Sequence, residues 1–132
     1  MRLYRASIGL HPTAEALTFL GWAHSFRKEY DKAMQYCRQA IAVDPDFGNP
    51  YNDIGVYLIE LGQWAEAVPW LRAAMRARRY ASYHFPHFNL ARVHERHFEW
   101  DLAESEYQIA LRLEPRYELA QRALLRLRAR RN

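Results

Sequence analysis

The chain has 132 residues, a formal net charge of +4, 50% hydrophobic and 26% charged residues, and a single cysteine, Cys37. These figures suit one domain with a packed core, and they exclude an intramolecular disulfide and a disordered, low-complexity chain. No apolar run approaches the ~20 residues that span a bilayer, and MRLYRASIGLHP lacks a secretory core with a cleavage site, so no membrane insertion and a cytoplasmic location are expected.

Residues 1–12 read as the tail of a helical unit, because Leu3, Tyr4, Ile8 and Leu10 before Pro12 parallel Tyr36, Cys37, Ile41 and Val43 before Pro45. A partial or capping helix is expected there, since an end unit has one neighbour only. Thr13 suits the N-cap of a first helix reaching about Arg27, with Leu17, Leu20, Ala23 and Phe26 at helical spacing. Asp31 then caps a second helix, Lys32 to Val43, which carries Ala33, Tyr36, Cys37, Ala40 and Ile41 on one face; Pro45 stops it. The same grammar follows. Asn49 and Pro50 open a helix with Tyr51, Ile54, Gly55 and Leu58 inward, and Gly62 suits a left-handed cap at its end. The next helix turns Ala67, Trp70, Leu71, Ala74 and Met75 inward; Pro69 lies near its first turn and predicts no break. Arg79, in ARRYASYHF, stands where a stopping proline is due, which predicts a longer helix or a looser, mobile loop. A third pair places Leu90, Ala91 and His94 opposite Ala103, Tyr107, Ala110, Leu111 and Leu113, with Pro115 as the stop. A final helix, Tyr117 to about Arg130, presents Ala120, Ala123, Leu124 and Leu127 to the preceding unit and arginines to water.

Gly21, Ala33 and Ala40 recur 34 residues later as Gly55, Ala67 and Ala74, and the last two recur after 36 as Ala103 and Ala110. Small residues at such places let paired helices approach to the short end of the ~8–10 Å interaxial range. Tyr30, Trp64 and Trp100, each beside a turn, fill the wedge between units. Self-similarity at this period marks a stacked helical-repeat protein. The pattern resembles the tetratricopeptide repeat through Leu17, Leu20-Gly21, Ala33, Cys37, Ala40 and Pro45 in the first copy, Tyr51, Ile54-Gly55, Ala67, Leu71 and Ala74 in the second, and His87, Leu90-Ala91, Ala103, Tyr107, Ala110 and Pro115 in the third. Departures are His24 and His94 where that family favours tyrosine, His87 where it favours tryptophan, and the absent proline after the second copy.

The resemblance implies an all-α fold, a right-handed superhelical solenoid of antiparallel helix pairs in a single domain, with repeats at 14–47, 48–83 and 84–117 and a C-terminal capping helix at 118–132. It also implies a non-enzymatic interaction module, a scaffold or adaptor whose first helices line a concave groove for a peptide or helix of a partner protein. Projection of those helices assigns the groove Glu15, Thr18, Phe19 and Trp22 from the first unit and Asn49, Asn52, Asp53 and Val56 from the second. Phe85, Phe88, Asn89 and Arg92 come from the third, with Arg122 and Arg126 continuing from the cap. This floor is aromatic at one end, weakly acidic in the middle and basic at the other. Family members that hold the carboxylate terminus of chaperone tails use lysines, asparagines and an arginine where this chain has Thr18, Trp22, Asp53, Phe85 and Asn89. The cations of that clamp are absent. A ligand with an apolar anchor near Phe19 and Trp22 and an acidic portion near Arg92 and Arg126 is expected, since aromatic and arginine side chains dominate binding hot spots.

Two other readings compete with peptide capture. Self-association could run through Leu3, Tyr4 and Ile8 at the N-terminal end, giving a homo-oligomer. The arginine groups at Arg72, Arg76, Arg78 and Arg79 and at Arg122, Arg126, Arg128, Arg130 and Arg131 could hold nucleic acid, but no aromatics interleave with them as a stacking platform requires. Catalysis and cofactors are not expected. His84, His87, His94 and His97 pair at i, i+3, yet the four span too much helix to share one ion. Cys37 takes the inner position held by Leu71 and Tyr107, where a free cysteine behaves as a small hydrophobe. Asp31, Glu66 and Asp101 sit at helix starts, where a negative charge is favoured without any catalytic role.

Overall fold

The structure, a computed structural model, describes residues 12–131. The expected half-repeat at residues 1–12, with Leu3, Tyr4 and Ile8, lies almost wholly outside the described residues. Among the described residues there are seven helices and no strand: α1 (Ala14–Ser25), α2 (Tyr30–Val43), α3 (Asn49–Glu60), α4 (Trp64–Arg76), α5 (His84–Arg96), α6 (Trp100–Leu113) and α7 (Glu118–Arg131). Each packs on its neighbours in sequence, and α1, α3 and α5 also touch one another in a row. The chain is therefore an all-α solenoid of antiparallel pairs, with the first helix of each pair on the inside of the curve. None of the described helices is long and apolar enough to cross a membrane.

The small residues sit where the pairs approach. Ala33, Ala40, Ala67, Ala74, Ala103 and Ala110 are completely buried. A methyl group on Gly21 would lie 2.8 Å from the Ala33 carbonyl oxygen, so backbone meets backbone there without room for a side chain. Cys37, Leu71 and Tyr107 share one inner position and have no exposure. Burial drives the Cys37 thiol far above its usual range, so it is an un-ionised core side chain. The aromatics beside the turns do bridge units: Tyr30 packs on Tyr57 of α3, Trp64 lies under Arg92 and Arg96 of α5, and Trp100 under Arg130 of α7.

Several local expectations change. Thr13 caps α1 as read, accepting from the Ala16 N–H at 3.0 Å. The second helix of the first pair begins at Tyr30, with Glu29 rather than Asp31 at the N-cap. The reason is a turn shared by all three pairs: Lys28 (φ 59°), Gly62 (φ 79°) and Phe98 (φ 61°) all adopt the left-handed conformation. The N–H of the residue that follows each then folds back onto the helix before it, from Glu29 to the His24 carbonyl, from Gln63 to the Leu58 carbonyl and from Glu99 to the His94 carbonyl. Glycine makes this conformation visible in sequence once, and lysine and phenylalanine hide it twice. Phe26 and Leu113 are not inward; they stand 69% and 50% exposed at or just beyond helix ends. Pro69 is carried inside α4 without breaking it.

The segment after α4 is neither a longer helix nor loose. The helix stops at Arg76, and residues 77–83 are laced to the preceding connection: Arg79 N–H donates to the Asp46 carbonyl (2.8 Å) and Gly48 N–H to the Arg79 carbonyl (3.1 Å). The Arg79 guanidinium reaches Asp44 at 2.9 Å and Glu15 at 3.1 Å and covers the Phe47 ring at 4.2 Å. Arg79 thus replaces the missing proline with a staple across the first two units. The arginines of α7 are not simply turned to water either. Arg126 and Arg130 reach Glu95 on α5, Arg128 and Arg131 reach Glu104 on α6, and Arg131 also pairs with Asp101.

Candidate peptide-binding groove

The inner row α1, α3, α5 and the adjoining α7 carry the residues projected into the groove, and the structure sorts them by depth. Thr18, Asn52 and Asn89 are buried. Thr18 donates its hydroxyl to the Ala14 carbonyl at 2.7 Å, which takes it out of use. Asn89 donates to Asn52 at 3.1 Å and accepts from Arg92 at 3.1 Å. That ladder ties α3 to α5 below the groove surface and fixes the Arg92 guanidinium, which also stacks 5.9 Å from the Trp64 ring. Val56 packs partly against the core.

Two clusters remain open to solvent, one at each end. Toward the N-terminal side, Phe19, Trp22 and Phe26 follow one another along α1 with ring centroids 5.7 and 4.5 Å apart, and Phe19 and Trp22 are each 49% exposed. Opposite them, α3 contributes Asn49 and Asp53; together with Glu15, Thr18 and Phe47 they enclose a cavity of about 410 Å³. Asp53 keeps part of its surface open to this cavity, yet it has no hydrogen bond and no ion pair among the described residues. The packed helices around its carboxyl strip it of water, and this burial alone pushes it up to about 7.

On the C-terminal side, Arg92 and Arg126 meet in a second cavity of about 280 Å³, walled by Trp64, Phe98, Trp100 and Tyr107 and joined by Arg96, Arg130 and Glu95. Here the carboxylate is matched, with four arginines around one glutamate. Glu95 accepts from the Tyr107 hydroxyl at 2.8 Å and from Arg130 at 3.1 Å, and stands 3.6 Å from Arg126. Phe85 and Phe88 lie apart from both cavities, packed against Tyr117 at 5.6 and 5.1 Å. Arg122 pairs with Glu118 on its own helix. Projection from helical spacing therefore gathered Glu15, Thr18, Phe19, Trp22, Asn49 and Asp53 into one cavity and Arg92 with Arg126 into the other. It missed Phe47, Trp64, Glu95 and Trp100, which enter from loops, from second-helix starts, or from one turn beyond the projected stripe. The only sequence signal for Trp64 and Trp100 is that aromatics recur beside the turns.

Three histidines are joined to glutamates. His24 meets Glu29 at 3.1 Å and His94 meets Glu99 at 3.0 Å, the same bridge across the first and third turns, while His87 meets Glu106 at 2.6 Å. Among the described residues no three His, Cys, Asp or Glu side chains gather as metal ligands.

Comparison with known proteins fits this geometry. A family model described as Tetratricopeptide repeat matches residues 14–47, and a second with the same description matches 51–79. Among solved structures, the Arabidopsis OM64 TPR domain superposes with a TM-score of 0.78 at 22% identity, over 88% of this chain and 94% of that one. The first TPR of Spaghetti (RPAP3), bound to the HSP90 peptide SRMEEVD, gives 0.79 at 19% identity, over 88% and 90%. The first TPR domain of human RPAP3 gives 0.80 at 19% identity, over the same shares. A comparison with curated proteins gave no match.

Proposed function

Because the chain is a tetratricopeptide-repeat protein, we propose that it acts as a scaffold or adaptor that docks an extended or helical segment of a partner protein along the inner row α1, α3, α5 and α7. The observation that carries this reading is a pair of aromatic and arginine clusters, the half-exposed Phe19 and Trp22 of α1 at one end and, at the other, the half-buried Arg92 of α5 held beside Trp64 at the start of α4. Aromatic and arginine side chains held in place by neighbours supply contact area at little entropic cost. In this reading an apolar residue of the partner covers Phe19 and Trp22, and an acidic portion lies toward Arg92 and Arg126.

The two clusters also select against one class of ligand. A peptide such as SRMEEVD, which one structural neighbour binds, would bring carboxylates toward Asp53 and Glu15, with no lysine at Thr18 or Phe85 to receive them. No saturable binding of SRMEEVD at the α1/α3 end is expected. For the main reading, Trp22→Ala combined with Arg92→Glu should reduce capture of a partner from cell extract by about tenfold or more. Capture that survives both changes, with helicity intact, would show that the partner docks elsewhere.

A further inference from the structure

We propose that the cavity between α1 and α3 receives the cationic end of a lysine or arginine side chain of the docked peptide, its aliphatic stem against Trp22 and Phe19 and its charge at Asp53. This rests on the groove reading above and gives it a polarity: base toward α1 and α3, acid toward α5 and α7.

Three observations converge on the cavity. Its walls match the two halves of a long cationic side chain, with apolar ring faces on α1 and a carboxyl on α3. Stems of this kind lie along apolar surface while the charged head seeks an acceptor. Among the described residues the ionisable groups that line it, Glu15 and Asp53, are both acidic, and Arg79 meets it only from behind Glu15 and Phe47. Glu15 has its cation already, Arg79 at 3.1 Å, but Asp53 has none among the described residues. An acidic group packed this deeply ordinarily has a hydrogen-bonded or charged partner, because burial without one is costly. Asn89 occupies the equivalent position of α5 and is fully engaged by Asn52 and Arg92. At that one position the second unit keeps an ionisable group and leaves it unmatched.

The surroundings also determine what binding does to the Asp53 proton. The groups facing it among the described residues are the Cys37 thiol, Tyr57 and Tyr80, all pushed by burial toward their neutral forms, and across the cavity Glu15, which Arg79 meets at 3.1 Å. A cation seated at Asp53 favours the carboxylate and expels the proton.

The test uses the full chain with n-butylammonium as a stand-in for a lysine end and butyrate as its charge-reversed control. Butylammonium should shift the Trp22 indole resonance in a saturable, millimolar titration, and butyrate should not. Asp53→Asn should weaken the ammonium by about tenfold or more. Near neutral pH, binding should release roughly half a proton from the wild-type chain and none from the Asn variant. Equal response to butyrate, equal affinity in the Asn variant, or no saturable shift at all overturns the proposal. So does binding that appears only after Arg2 and Arg5 are replaced by alanine, which would assign the cavity to the chain's own first residues. These outcomes are separate from partner capture: if capture depends on Trp22 and Arg92 while butylammonium ignores Asp53, the groove stands and its polarity falls.

Discussion

The two ends of the inner row handle buried charge in opposite ways. At the α5/α7 end, Glu95 stands among arginines and a tyrosine hydroxyl, each within reach of its oxygens. At the α1/α3 end, Asp53 stands among aromatic rings and neutral hydroxyls with no hydrogen-bonded or charged partner among the described residues. The first arrangement is a joint, coupling α7 to α5. The second leaves an interaction unmade, and an unmade interaction is available to a ligand. Charge density alone points to the arginine-rich end, where Arg126 and Arg130 share Glu95 and Arg92 is held by Asn89.

The sharpest way to break this comparison is to remove the carboxylate at each end. Glu95→Ala leaves Arg126, Arg130 and the Tyr107 hydroxyl without their acceptor and should destabilise the chain by about 2–3 kcal/mol in urea unfolding, by the usual size of hydrogen bonds to charged groups. Asp53→Asn should have the opposite sign. The folded-state pKa of Asp53 is raised to about 7 from an ordinary 3.8, so between those values the native state holds more protons than the unfolded state, and stability falls as pH rises through that window. Asp53→Asn should lack this fall, so that its stability relative to wild type rises across that range to a gain of about 2 kcal/mol above it, a figure discounted because the carboxyl retains some access to solvent. A wild-type chain whose stability rises through the same window, in parallel with the variant, would show that Asp53 is an ordinary surface acid.

Smaller effects refine the picture. Lys28→Gly and Phe98→Gly each relieve a side chain from left-handed backbone and should stabilise by about 0.5–1 kcal/mol in thermal unfolding. The two should differ in binding: Phe98 lines the arginine cavity and Lys28 lines neither groove cavity. Only Phe98→Gly should alter affinity for an acidic peptide.

What was legible in the sequence and what was not follows from distance along the chain. Helix pairs, their buried alanines and the Thr13 cap depend on residues within a few positions of one another, and periodicity exposes them. The Arg79 staple does not, since its partners Asp44 and Glu15 lie 35 and 64 residues away. The same holds for Arg130, whose acceptor Glu95 is 35 residues earlier. Spacing identified the inner-facing stripe that holds Thr18, Asn52, Phe19 and Trp22, but a helical wheel gives direction without depth. It could not separate the buried, satisfied Thr18 and Asn52 from the exposed rings beside them, or see that Asp53 lacks a partner where Asn89 has two.

The most direct measurement is an amide chemical-shift map of the labelled chain, taken with and without the shortest partner segment that retains capture. Docking along the inner row predicts the largest changes at Trp22, Asp53 and Arg92, on α1, α3 and α5. Changes confined to α2, α4 and α6, with those three residues unmoved, would place the partner on the outer face and contradict the groove.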